Sequence, residues 1–95
     1  MYARITNFQG DPANIDAMEA RIGEITESVQ ALPGAQAVYA AWREDGAGVV
    51  TAIYESRAAA EAAAPQVREI WAVLGEFLSG PPSAEGYETV VRLKG

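Results

Sequence analysis

The chain contains no cysteine and no histidine. Lack of cysteine excludes disulfides and thiol nucleophiles but does not decide the compartment, because many secreted proteins also lack it. Lack of histidine reaches further. No Ser-His-Asp or Cys-His arrangement can be assembled, zinc has neither of its preferred ligands, and the commonest near-neutral general base is missing. Any catalysis falls to carboxylates, Tyr, Lys, Arg, amides or a bound group. The acids are scattered along helix faces instead of clustered at ligand spacing, so we expect no metal site, no haem iron and no cofactor.

Positive charge is also scarce. Seven Lys and Arg stand against thirteen Asp and Glu, a net charge of -6, and no basic cluster offsets it. Such a surface repels phosphate backbones, so nucleic acid is not expected as a partner. No apolar run approaches the roughly 20 residues that cross a bilayer, and the opening MYARITNFQG lacks the hydrophobic stretch of a signal peptide. The simplest expectation is a cytoplasmic protein with no membrane partner.

What is present suits one small domain spanning residues 1–95. With 49% hydrophobic and 21% charged residues the chain has an ordinary globular composition. A chain this short buries only about 60 to 65% of its unfolded surface, so oligomerisation would help it.

The segment Tyr2 to Phe8 has the length and residue types of a strand, closed by the turn chemistry of Gly10, Asp11 and Pro12. Either face of it is acceptable to a core. Ile15, Met18, Ile22, Ile25, Val29 and Leu32 then recur at spacings of 3, 4, 3, 4 and 3, one stripe of an α-helix. Asn14 is the expected N-cap and Pro33-Gly34 the stop. The stripe lasts less than three heptads, so it is assigned to packing on a sheet in preference to a coiled coil.

Two strands follow, about Ala37 to Arg43 and Gly48 to Glu55, joined through Asp45-Gly46, a hairpin signal because the turn needs positive φ. Both faces of this hairpin are largely apolar, which means both are covered. Ser56 caps an alanine-rich helix that Pro65 should kink or restart. Val67, Ile70, Trp71, Leu74, Phe77 and Leu78 form its second apolar stripe. The alternation of Tyr87, Thr89, Val91 and Leu93 predicts a last strand over Tyr87 to Leu93.

The resulting order, βαββαβ, is the ferredoxin-like α+β arrangement: one four-stranded antiparallel sheet with both helices on one face. The other face, apolar in the central hairpin, has nothing in the chain to cover it. A second copy of the protein, making a homodimer through the sheet face, is the economical cover.

Pro33-Gly34 after the first helix, Asp45-Gly46 in the hairpin, and Tyr54-Glu55-Ser56 before the Ala-rich helix together resemble the dimeric α+β barrel superfamily, in particular its antibiotic-biosynthesis-monooxygenase-like branch. The resemblance covers nearly the whole chain in element order, and its short motifs are specific only in combination. One departure is Tyr54, where the family usually has Trp. The resemblance implies a dimer whose two sheets face each other, with a pocket between sheet and helices or inside the barrel. It also implies a choice among cofactor-independent oxygenases of polycyclic phenols and quinols, haem-degrading enzymes, isomerases, and members without known activity. Fold does not decide between these. The haem-degrading mechanism needs an axial His that this chain lacks.

Cofactor-independent oxygenases of this type use Asn, Trp and Tyr or Arg around an aromatic substrate. By that resemblance Asn7 and Trp71 are the candidate catalytic residues, Asn7 by its strand and position and Trp71 by residue type. Arg4, Thr6, Tyr39 and Tyr54 are the candidate ligand-binding residues. Each has a plainer alternative. Asn7 suits a turn beside Gly10 and Asp11. Trp71 suits the core, provided its indole N–H finds a partner. Arg4 can pair with Glu88 or Glu55. The tyrosines can pack with their hydroxyls at the rim. The expected ligand is a small apolar or aromatic molecule, accommodated beside the alanines at 37, 40, 41 and 52. The expected activity is that of a cofactor-independent monooxygenase, with a noncatalytic binding or assembly domain as the alternative.

Overall fold

The computed structural model describes residues 1–95. Strand β1 (Tyr2–Gln9) is followed by helix α1 (Ile15–Gln30), the hairpin of β2 (Ala35–Trp42) and β3 (Ala47–Tyr54), helix α2 (Arg57–Leu74) and strand β4 (Ser83–Tyr87). Short 3-10 turns over Pro12–Asn14 and Gly75–Phe77 lead into α1 and out of α2. The four strands form one antiparallel sheet in the order β2-β3-β1-β4, the ferredoxin-like layout expected from the sequence. No helix is long and apolar enough to cross a membrane.

Local chemistry accounts for the corners. The α1 entry is capped by Asp11, whose carboxylate accepts from the Ala13 amide at 2.9 Å, while Asn14 makes no capping bond, so the cap lies one short turn earlier than expected. After α1, Gly34 takes a φ of 74°, and its carbonyl accepts from the Glu55 amide at 2.9 Å. That bond ties the entry of β2 to the exit of β3. In the hairpin turn only Gly46 has positive φ, at 89°, and Asp45 contributes instead by accepting from the Ala47 amide. Ser56 caps α2 through the Ala59 amide at 3.1 Å. Pro65 does not restart the helix: α2 is one continuous element through it, with the proline on an exposed side.

The β1 register decides what the sequence left open. Tyr2 lies opposite Tyr54, Arg4 opposite Ala52, Thr6 opposite Val50 and Phe8 opposite Gly48. These residues share the face that the helices cover, and Ala3, Ile5 and Asn7 share the other. A core of Tyr2, Leu32, Ala52, Tyr54, Ala60 and Ala63 forms at one end of the covered face. Here the alanine-rich start of α2 has a packing role: Ala60 and Ala63 are 3% and 0% exposed, and their small side chains let the helix settle close to the two tyrosine rings.

The last strand is displaced from the predicted Tyr87–Leu93. The reason is geometric. Pro81-Pro82 delivers the chain to the edge of β1 so that Ser83 pairs with Asn7 and Tyr87 with Ala3. Two residues later the register reaches Met1, ahead of the start of β1 at Tyr2, so the alternating residues Thr89, Val91 and Leu93 have no strand to pair with. Val91 and Leu93 are 68% and 94% exposed. Glycine at 86 permits this pairing, because a Cβ there would overlap the Tyr2 hydroxyl.

Two glycine substitutions should move stability in opposite directions. Gly46→Ala places a side chain at positive φ and drives its Cβ into the Gly10 carbonyl, and should cost about 1–3 kcal/mol. Gly23→Ala, in α1 with open space around it, should gain about 0.4–1 kcal/mol by restricting the unfolded chain and improving helix propensity. Thermal denaturation of the two variants checks both signs.

Candidate functional site

Beside the core, the sheet and helices separate to leave a cavity of about 640 Å³. Nineteen of its 24 lining residues are hydrophobic, which makes it a site for an apolar body with few polar attachments. β1 contributes Arg4, Thr6 and Phe8, the hairpin Val38, Ala40, Trp42, Val50, Ala52 and Tyr54, and the helices Met18, Ile22, Ile25, Val29, Val67, Ile70, Trp71 and Leu74. Small side chains on the sheet make the room. Ala37, Ala40 and Ala52 line the space as expected, whereas Ala41 does not.

Aromatic placement also depends on a missing side chain. Gly48 lies opposite Phe8 on the helix-covered face, and a Cβ there would overlap the Phe8 ring. The ring therefore lies over Gly48 and meets Trp71 of α2, with centroids 5.8 Å apart and planes inclined by 57°. A tilted pair of this kind contributes about 0.5–1.5 kcal/mol beyond its buried area. It also gives the cavity an aromatic wall.

Polar lining groups are few and, apart from Thr26, whose hydroxyl donates to the Ile22 carbonyl at 3.1 Å, unengaged. Arg4, Thr6, Tyr54 and Trp71 make no side-chain hydrogen bond with the rest of the protein. No fully buried side-chain polar atom lacks a partner, so their polar atoms are those that reach open space. Burial pushes the Tyr54 hydroxyl above its ordinary range, and the positive charge of Arg4 opposes that rise. Tyr54 is thus a neutral donor at physiological pH. Glu88, one expected partner of Arg4, is held by Arg57 at 2.9 Å. The other, Glu55, is exposed and makes no ion pair. No three carboxylates gather in a position to hold a metal ion.

Four of the six residues singled out in the sequence come together here: Arg4, Thr6, Tyr54 and Trp71. Asn7 and Tyr39 do not. Asn7 is exposed on the opposite face of β1, between Val49 and Ser83, so the sheet separates it from Trp71. Tyr39 is 71% exposed on that same uncovered face. Sequence reasoning passed over Phe8, Met18, Gln30 and Gln36 as lining residues. Their signal was core-type residues or the ordinary polarity of a helix end and a strand start, which does not distinguish a packed wall from one facing a void.

No protein-family model and no curated protein sequence matches the chain. Its fold, however, recurs among solved structures. Rv0793 from Mycobacterium tuberculosis superposes with a TM-score of 0.75 at 21% identity, over 98% of each chain. An antibiotic biosynthesis monooxygenase superposes with a TM-score of 0.77 at 16% identity, over 96% of this chain and all of the other. A monooxygenase from the gene ActVA-Orf6 of Streptomyces coelicolor, solved with the ligand nanaomycin D, gives a TM-score of 0.76 at 24% identity over 99% and 91%. At these identities the likeness is one of fold. The chain shares the ferredoxin-like α+β fold of these structures, antibiotic biosynthesis monooxygenases among them.

The raised Tyr54 hydroxyl has a consequence for stability. An acid whose folded pKa lies above its unfolded value of 10.0 keeps the folded state favoured below that value and loses the contribution as pH rises through the folded pKa. Tyr54→Phe should therefore show a flatter fall in melting temperature above pH 10.0 than the wild type. Thermal denaturation across the alkaline range, read as the difference between the two proteins, checks this and cancels the other tyrosines.

Proposed function

Starting from a fold shared with antibiotic biosynthesis monooxygenases, we propose that this protein is a homodimeric, cytoplasmic enzyme that binds a small aromatic molecule between sheet and helices and oxidises it with molecular oxygen. The observation that carries the reading is the apolar 640 Å³ cavity with its aromatic wall and unengaged polar groups. A small-molecule site needs that combination, apolar surface for affinity and a few polar atoms for orientation. The Streptomyces coelicolor structure with nanaomycin D supports it from outside this chain.

The chemistry asks little of the protein. An electron-rich aromatic substrate itself reduces oxygen: a ring CH₂ becomes a carbonyl, one oxygen atom enters the product and the other leaves as water with the two hydrogens. Phe8 and Trp71 pack against the ring system and exclude water, and Thr6 and Tyr54 offer hydrogen bonds that fix its orientation. Orientation and preorganised donors toward the developing anion are the protein's contribution to rate.

The uncovered face of the sheet supports the dimer. Ile5, Val49 and Ile53 lie there beside the exposed Tyr39, and no element of the chain covers them. A second sheet would bury them. Sedimentation at micromolar concentration should give the mass of two chains, and a clean monomer would sink this part of the reading.

A second reading, noncatalytic ligand binding in the same cavity, is favoured by one observation: Asn7 does not reach the cavity. Oxygen uptake with a panel of quinols and anthrone-like phenols separates the two. Turnover should be seen with at least one of them. Trp71→Leu should weaken binding roughly two- to tenfold through loss of aromatic contact, and Asn7→Ala should leave turnover unchanged. A loss on Asn7→Ala would move the chemistry to the uncovered face. Binding without oxygen uptake for the whole panel would leave the noncatalytic reading standing.

A further inference from the structure

Arg4 is the one charged side chain among the 24 residues that line the cavity. It is half-buried, and no carboxylate lies within ion-pair distance of it. Arg21, Arg43 and Arg57 each hold an acid at 3.0, 3.5 and 2.9 Å, all on the surface where pairing stabilises least. Arg4, half-buried in the wall of the apolar cavity, has none. Acids are not in short supply, since the chain carries thirteen of them. Glu88, the acid best placed by sequence, is taken up by Arg57 instead.

The neighbours of Arg4 point the same way. Thr6 follows it on the same face of β1, and the Tyr54 hydroxyl is close enough for the Arg4 charge to act on it. Tyr54 stays protonated at neutral pH and so presents a donor. A guanidinium-bearing and a phenol-bearing side chain lining one apolar space suit a single anionic oxygen, because charge-assisted hydrogen bonds to an ionised acceptor are the strong ones. A neutral ligand of the same shape would leave Arg4 as it is now.

We propose that the cavity takes its aromatic ligand as a monoanion, with an ionised oxygen on the ring system held against the Arg4 guanidinium and hydrogen-bonded by Tyr54. This rests on the reading of the cavity as an aromatic-ligand site and adds the ionisation state that the site selects. It also fits that reading chemically, because an ionised phenol or enol releases electrons to oxygen more readily than its neutral form.

The test uses two probes of nearly equal shape, lawsone, a hydroxynaphthoquinone ionised at neutral pH, and its methyl ether, which cannot ionise. Calorimetric titration of the wild type should show lawsone binding tighter by roughly tenfold or more, the scale of one charge-assisted hydrogen bond. Arg4→Met, which keeps the aliphatic stem, should bind the ether as the wild type does and lose the preference. Arg4→Lys should retain a reduced preference. The unliganded Arg4→Met protein should melt no lower than the wild type, because it has lost an unpaired cation and no ion pair. Equal binding of both probes by the wild type overturns the anion inference and leaves the cavity reading intact, as does a preference that survives in Arg4→Met. A lowered melting temperature in Arg4→Met overturns the premise that Arg4 stands unpaired. Failure of both probes to bind the wild type overturns the cavity reading and this inference with it.

Discussion

The pairing of β1 with β3, Tyr2 opposite Tyr54 and Phe8 opposite Gly48, is the constraint on which the remaining structure depends. Side chains alternate along a strand, so a slip of one residue would exchange the two faces of β1 completely. In the observed register the tyrosine pair enters the core under Ala60 and Ala63, while Arg4 and Thr6 open into the cavity. In the slipped register Ala3, Ile5 and Asn7 would face the helices, and the cavity would have neither its cation nor its aromatic wall. The same strand sets the reach of β4, whose pairing ends where β1 ends.

Core and cavity are built from the same material, and the difference between them is a matter of size at a few positions. Where α2 presents alanines, it sits low enough to bury Tyr54 to 2% exposure. Where it presents Val67, Ile70, Trp71 and Leu74 above the alanines and Gly48 of the sheet, the layers cannot interdigitate fully and space remains. A void of this kind gives up dispersion contacts that a packed interior would make. Together with an unpaired Arg4 it is a local loss of packing and pairing that the proposed ligand would offset.

Much of the fold was legible from local pattern. Turn residues marked every corner: Gly34 and Gly46 adopt the positive φ that their positions require, and Ser56 caps the helix it precedes. The 3-4 spacing of α1 identified its buried stripe. The failures are instructive because each concerns information outside the segment itself. Thr89, Val91 and Leu93 alternate as a strand should, yet a strand exists only if a partner offers hydrogen bonds, and β1 runs out. Pro65 removes one donor from α2, but the packing of the helix on both sides of it holds the segment as one element.

For the site, the sequence by itself determined the chemistry that is absent, by withholding His and Cys, and supplied the residue types that line the cavity. Local spacing also determined the element order, because helix and strand periods are properties of neighbouring residues. Only the tertiary structure decided which of those residues meet. Asn7 and Thr6 are adjacent in the chain and point to opposite sides of the sheet, while Phe8 and Trp71, far apart in sequence, stand 5.8 Å from each other. The sequence of β1 permits either face to be buried. The choice is made by register with β3 and by the helices that close over one face, interactions among segments distant in the chain that no local pattern encodes.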